Sequence, residues 1–124
     1  MIRNLTLSVF LTVSISGNAA ASPAECGRAS WYQLRGLTAS GTQADPEALT
    51  AAHPSLPFGT RITVTNLANG RSIALTVVDR GPFVRGRIVD VSRRAARELG
   101  FLRQGVTRVR VEPEGAQGDT ATCR

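Results

Sequence analysis

Polar and β-branched apolar residues alternate from Thr60 to Asn66, the period-two signature of a strand with one buried face. Ala68-Asn69-Gly70 follows, and Asn-Gly accepts the positive φ of a tight hairpin turn. Ser72 to Val78 is the return strand. It alternates at first and ends on Val77-Val78, which predicts burial of both faces there. Ala29 to Tyr32 reads as a first strand, Gly86 to Val91 as another, and Val106 to Val111 as a last one that Pro113 ends. Two segments carry helical signals. Asp45 suits an N-cap, Pro46 the first helical position and Glu47 the first turn, predicting a piece of at most two turns that Pro54 stops and that leaves His53 at its end. Ser92 caps a predicted helix from Arg93 to Leu99, with Gly100 as its stop and Ala95, Ala96 and Leu99 facing inward. Short strands with one or two short helices in about a hundred residues predict a mainly β fold closed into a compact barrel, since closure removes exposed sheet edges.

Residues 1–21 stand apart from this pattern. Arg3 supplies a positive charge, Leu5 to Ile15 is apolar apart from Thr and Ser, and Ala19-Ala20-Ala21 fits a cleavage site. That layout is a signal peptide; the alternative is an N-terminal strand or anchor. The expected organisation is a leader at 1–21 and one domain at 22–124, with its core at about 29–111 and a polar tail at 112–124. Export to the periplasm or beyond suits the cysteines. Cys26 and Cys123 lie near the two ends of the remaining chain, in a compartment where disulfides persist. They either pair, tying the ends together, or stay as separate thiols. With one distant histidine they make a poor metal site, so neither metal nor cofactor is expected. Glu25 directly before Cys26 argues against a lipid anchor.

The formal charge of the 124 residues is +6, and all fifteen basic residues are arginine. Such a surface attracts polyanions, acidic cell-wall polymers among them. There is no zinc-finger spacing, no helix-turn-helix pattern and few aromatic residues to stack on bases, which sets nucleic acid aside.

The chemistry concentrates where the return strand ends. The run LTVV delivers Asp79 to a strand tip, and Arg80-Gly81-Pro82 turns the chain there. Asp79 either caps the amides of that turn or acts as an acid/base whose carboxyl is raised by its apolar surroundings.

The segments ASWY, TASG, DPEALTAAH, FGTRITVTNLANGRS, VDRGPF and GRIVDVS, in this order from Ala29 to Val111, resemble the RlpA-like (rare lipoprotein A) family. The resemblance implies a six-stranded double-psi β-barrel, export to the bacterial envelope, and endolytic peptidoglycan lytic transglycosylase activity on glycan strands stripped of stem peptides. Many members carry a lipid anchor and a C-terminal peptidoglycan-binding repeat; neither is expected here. Carried residue by residue, the family histidine falls on His53, its strand-tip aspartate on Asp79 and a second acid on Asp45. A family glutamate falls on Thr42, a hydroxyl instead of a carboxyl.

Lytic transglycosylation wants a carboxyl that first protonates the leaving oxygen and then removes a hydroxyl proton. Asp79 is the first choice, and His53 either orients it, binds sugar hydroxyls or packs at the core edge. Asp45 is a second acid or a helix cap. Trp31 and Tyr32 stack on a sugar or fill the barrel, and Arg80 and Arg85 meet the acidic lactyl group of muramic acid or are surface charges. Asp90 reads as structural, holding the turn into the Ser92 helix. The expected partner is peptidoglycan glycan, with envelope proteins as possible further partners. The departure at Thr42 supports a competing reading, a non-catalytic glycan-binding or expansin-like wall-loosening barrel. A third reading is a secreted inhibitor or protein-interaction barrel braced by Cys26 and Cys123.

Overall fold

The computed structural model describes residues 8–13, 23–33, 35–115 and 123. Most of the expected leader lies outside the described residues; 8–13 carry neither helix nor strand. Among the described residues no helix is long and apolar enough to cross a membrane.

Six strands and one helix follow one another: β1 Glu25–Tyr32, β2 Thr50–Ala52, β3 Arg61–Asn66, β4 Ser72–Asp79, β5 Arg87–Ser92, α1 Arg93–Leu99 and β6 Val106–Pro113. The strands close in the order β1-β5-β2-β4-β3-β6. Pairs β1–β5 and β2–β4 are parallel and the remaining four antiparallel, so the barrel is mixed, consistent with the expected double-psi form.

The alternating sequence of β3 becomes alternating burial. Ile62 and Val64 point into the core beside Leu75 and Val77 of β4. The hairpin closes through Gly70 at φ 77°, whose amide donates to Asn66 O at 2.7 Å. Helix α1 starts and stops where its caps stand. Ser92 Oγ accepts from Ala95 N at 3.2 Å, and Gly100, at φ 79°, returns its amide to the carbonyls of Ala96 and Arg97. Ala95, Ala96 and Leu99 are fully buried with Phe101 and the valines of β4, β5 and β6.

Two expectations change. The segment at 45–53 is not a helix. Asp45 Oδ1 accepts the Glu47 amide at 2.9 Å and closes a turn. That turn packs on the start of α1, where Arg94 N donates to Pro46 O at 2.9 Å and Ser92 Oγ to Ala48 O at 2.6 Å. Thr50–Ala52 then enters the sheet between β4 and β5, because pairing on both sides outweighs a local helix-start signal. The strands at the two ends are also longer than expected. β1 begins at Glu25, paired to Val111, and β6 runs to Pro113, paired to Ile62, so the expected tail from 112 begins as strand. Residues 116–122 lie outside the described set.

Candidate functional site

The registers of four adjacent strands line up one row. Ala52 of β2 pairs with Asp79 of β4 on one side and with Asp90 of β5 on the other, and Asp90 pairs with Ser30 of β1. Strand alternation adds Tyr32 and Thr50, two residues from Ser30 and Ala52, to that face. The opposite face of the same strands, carried by Ala29, Ala51, Val89 and Val91, is the core.

Asp79 is half-buried, and one of its oxygens is committed. Oδ1 accepts the amides of Ala39 and Arg80, both at 2.9 Å. Oδ2 has no hydrogen-bond partner among the described residues. The Ala39 amide comes from a loop that Thr38 closes on itself: Thr38 N donates to Thr42 O at 2.8 Å, and Gly41 N to Thr38 O at 2.9 Å. Ser40 N ties the loop to Val78 O at 3.1 Å. The hydroxyls of Thr38, Ser40 and Thr42 lie 2.8–3.0 Å from one another. Thr42, where the family resemblance places an acid, therefore belongs to the loop that holds Asp79, and it is exposed.

Asp90 Oδ1 accepts the Ser30 hydroxyl and, at 3.2 Å, Arg87 Nη2. The Tyr32 hydroxyl is buried; Thr50 acts on it without closing a hydrogen bond of normal geometry. Burial raises the phenol above its ordinary value; Thr50 works the other way, and the charges of Asp79 and Asp90 add to the rise. Tyr32 is thus kept as a protonated donor on the face that carries both carboxylates. Sequence reasoning left out Ser30 and Thr50 and took Asp90 as structural. Ser30 and Asp90 are 60 residues apart, and only the parallel β1–β5 register joins them.

His53 is 2% exposed. Its Nδ1 accepts the amides of Ser55 and Leu56 at 3.1 and 3.0 Å, and its Nε2 lies 3.2 Å from Glu25 Oε1. It meets Asp79 through the backbone, His53 N donating to Asp79 O at 3.1 Å. Arg80 folds under the same loop, with Nη1 on Leu56 O at 2.7 Å and on His53 O at 3.3 Å, and its guanidinium 3.9 Å above the Phe58 ring.

The other expected residues lie elsewhere. Asp45 is exposed on its turn, beside the pair formed by Glu47 and Arg97 at 2.7 Å. A hydrogen bond from the Arg97 guanidinium holds the Glu47 carboxyl below its ordinary value. Trp31 packs against the core, its indole N–H donating to Leu102 O at 3.1 Å. Arg85 is exposed in the turn before β5, behind the exposed Phe83 and Val84. Cys26 and Cys123 form a disulfide with Cα atoms 5.6 Å apart. Among the described residues no group of three His, Cys, Asp or Glu side chains is placed to hold a metal.

Comparison with known proteins places the chain in a family. The profile of the family described as "Lytic transglycolase" matches residues 24–111. The endolytic peptidoglycan transglycosylase RlpA of Neisseria meningitidis serogroup A is 45% identical over 98 residues, 77% of this chain and 41% of the relative. A Nostoc RlpA relative is 58% identical over 78 residues, 63% of this chain and 21% of the relative. The chain thus spans well under half the length of these curated relatives. Among solved structures, the Streptomyces papain inhibitor superposes with TM-score 0.62 at 25% identity, covering 74% of this chain and 94% of the inhibitor. Apo-Clavibacter michiganensis expansin shares the fold at TM-score 0.62 and 22% identity, over 77% of this chain and 52% of the expansin. With the profile covering more than half of its length and the closed six-stranded barrel in place, this chain belongs to the lytic transglycolase family of RlpA-like double-psi β-barrels.

Proposed function

We propose that this barrel is an exported endolytic peptidoglycan lytic transglycosylase that cleaves the MurNAc–GlcNAc β-1,4 bond in glycan strands lacking stem peptides. The observation that carries the reading is the strand-tip Asp79, with one oxygen anchored to two amides and Oδ2 unpartnered at the end of the polar row. Its carboxyl gives a proton to the leaving O4 as the C1–O4 bond breaks. The resulting carboxylate then takes the proton of the C6 hydroxyl as O6 bonds C1, leaving a 1,6-anhydro end without water. On the same face the Ser30 hydroxyl holds Asp90, and the buried Tyr32 phenol keeps its proton beside the two carboxylates. Asp79 is the acid/base, and His53 and Arg80 support its loop surroundings. No cofactor takes part in this scheme.

A second reading is a non-catalytic glycan-binding or wall-loosening barrel. The exposed Thr42, a hydroxyl where the family resemblance implies an acid, favours it.

Purified protein incubated with glycan strands lacking stem peptides, with products read by mass, separates the two. Products with 1,6-anhydro ends, absent with Asp79→Asn, support the lyase. Saturable binding without products supports the binder. No products and no glycan affinity would sink both and leave an inhibitor-like barrel, the activity named for the Streptomyces structure.

A further inference from the structure

His53 is the one histidine of the chain, and its two ring nitrogens face opposite demands. Nδ1 accepts two amide N–H groups, from Ser55 and Leu56, which requires that nitrogen to carry no proton. The proton of the neutral ring then sits on Nε2, facing Glu25 Oε1 at 3.2 Å. An ionised carboxylate only accepts, so it selects that tautomer. Glu25 lies at the start of β1, 28 residues before His53, and the barrel brings the two together at one end.

The ring is tied to the site through its loop. The Ser55 and Leu56 amides that Nδ1 holds set the course of 53–58. The carbonyls of His53 and Leu56 receive Arg80 Nη1, and Phe58 receives its guanidinium face. The His53 amide in turn donates to the Asp79 carbonyl. A proton on Nδ1 would point a donor at two donors and release both amides.

We propose that Glu25 is a positioning residue: it locks His53 in the Nε2–H tautomer, and the unprotonated Nδ1 then shapes the loop that seats Arg80 beside the Asp79 strand tip. The ring, 2% exposed and with both nitrogens occupied, acts through that loop and not on substrate. The link to turnover rests on the transglycosylase reading; the tautomer lock does not.

The test is a long-range ¹H–¹⁵N correlation spectrum of the single imidazole at neutral pH, in the wild type and two variants. The wild type is expected to give the Nε2–H pattern. Glu25→Gln keeps it, because the amide oxygen can accept the same bond. Glu25→Lys presents a donor to Nε2 and shifts the ring toward Nδ1–H or a mixture. In parallel, kcat for anhydro-product release falls about 10–100-fold in Glu25→Lys with little change in KM, as expected for a displaced support, and Glu25→Gln stays near the wild type. A wild-type ring in the Nδ1–H form overturns the proposal without need of a variant. An Nε2–H pattern that Glu25→Lys leaves unmoved overturns the role of Glu25. Wild-type protein that makes no product overturns the transglycosylase reading alone, and the spectra still decide the lock.

Discussion

The amide of Ala39 donates to Asp79 Oδ1 across 40 residues of sequence, and the Arg80 amide donates to the same oxygen. One carboxylate oxygen thus fastens the 36–44 loop to the strand tip while the other has no hydrogen-bond partner among the described residues. The division separates the structural work of Asp79 from the acid/base role proposed for it, so that substitutions can remove one without the other.

Asp79→Asn keeps a carbonyl oxygen for both amides and loses the acid/base. Product formation should drop by about 10²–10⁴-fold while the melting temperature barely moves. Asp79→Ala also strands the two amides, which should cost about 1–3 kcal/mol on top of the lost activity. Denaturant titrations of the two variants side by side check this; equal stabilities would show that the loop contact contributes nothing.

Thr42 sits in the loop fastened to Asp79 and shares hydroxyl contacts with Thr38 and Ser40. Thr42→Glu places a carboxyl where the family resemblance implies one. Its rate of anhydro-product formation should exceed the wild-type rate. An unchanged rate would mean that the hydroxyl cluster already meets the need.

Tyr32 predicts an alkaline limb of stability. A free phenol titrates near 10.0, and burial, aided by the Asp79 and Asp90 charges, raises the folded value. Above pH 10.0 the unfolded chain gives up this proton while the folded chain retains it. The stabilisation is therefore complete below the unfolded value and drains as pH rises through the folded one. The chain has one tyrosine and no lysine, so few other groups titrate in that window. Tyr32→Phe should flatten the limb. At neutral pH it should be no less stable than the wild type, since the hydroxyl it removes has no hydrogen bond to lose. Chemical denaturation from pH 8 to about 11.5 reads both effects.

What could be read from the sequence follows the range of the interactions. The β3–β4 hairpin and α1 were legible because their determinants are local: alternation, Asn69-Gly70, and the Ser92 and Gly100 caps. β2 was not. Three residues carry no periodicity, and Asp45-Pro46-Glu47 uses the same chemistry for a turn as for a helix start. Asp79 stood out because its strand announces it. The Ser30–Asp90 contact, the Ala39 amide and Glu25 beside His53 arise from pairings 60, 40 and 28 residues apart, and nothing local marks them.

Asn66 closes the end of α1 from across the barrel. It is 1% exposed, its side-chain amide donates to Leu99 O at 2.8 Å, and its Oδ1 accepts from Ala68 N and Thr107 Oγ1. Asn66→Ala should destabilise the fold by about 1–3 kcal/mol, because Ala68 N and Thr107 Oγ1 lose their acceptor, while Leu99 O keeps the Asn69 side-chain amide at 2.8 Å. Asn66→Asp keeps the acceptor, loses the donor and should also destabilise. Thermal unfolding of both variants is the check.

The Cys26–Cys123 bond joins residues 97 apart. Chain-entropy arithmetic gives about 5 kcal/mol for such a loop. Reduction should lower stability by that order while leaving the barrel folded. Unchanged stability on reduction would show that the bond contributes little.

The last strand of the barrel lies between the first and the third. Until Val106–Pro113 is in place, β1 and β3 each present a bare row of amides and carbonyls to their surroundings. A growing or translocating chain therefore carries two sticky margins for most of its emergence and loses both in one late event. Chaperones that meet this protein should bind it before that insertion and release it afterwards, and truncations short of β6 should aggregate instead of folding to a smaller version of the same barrel.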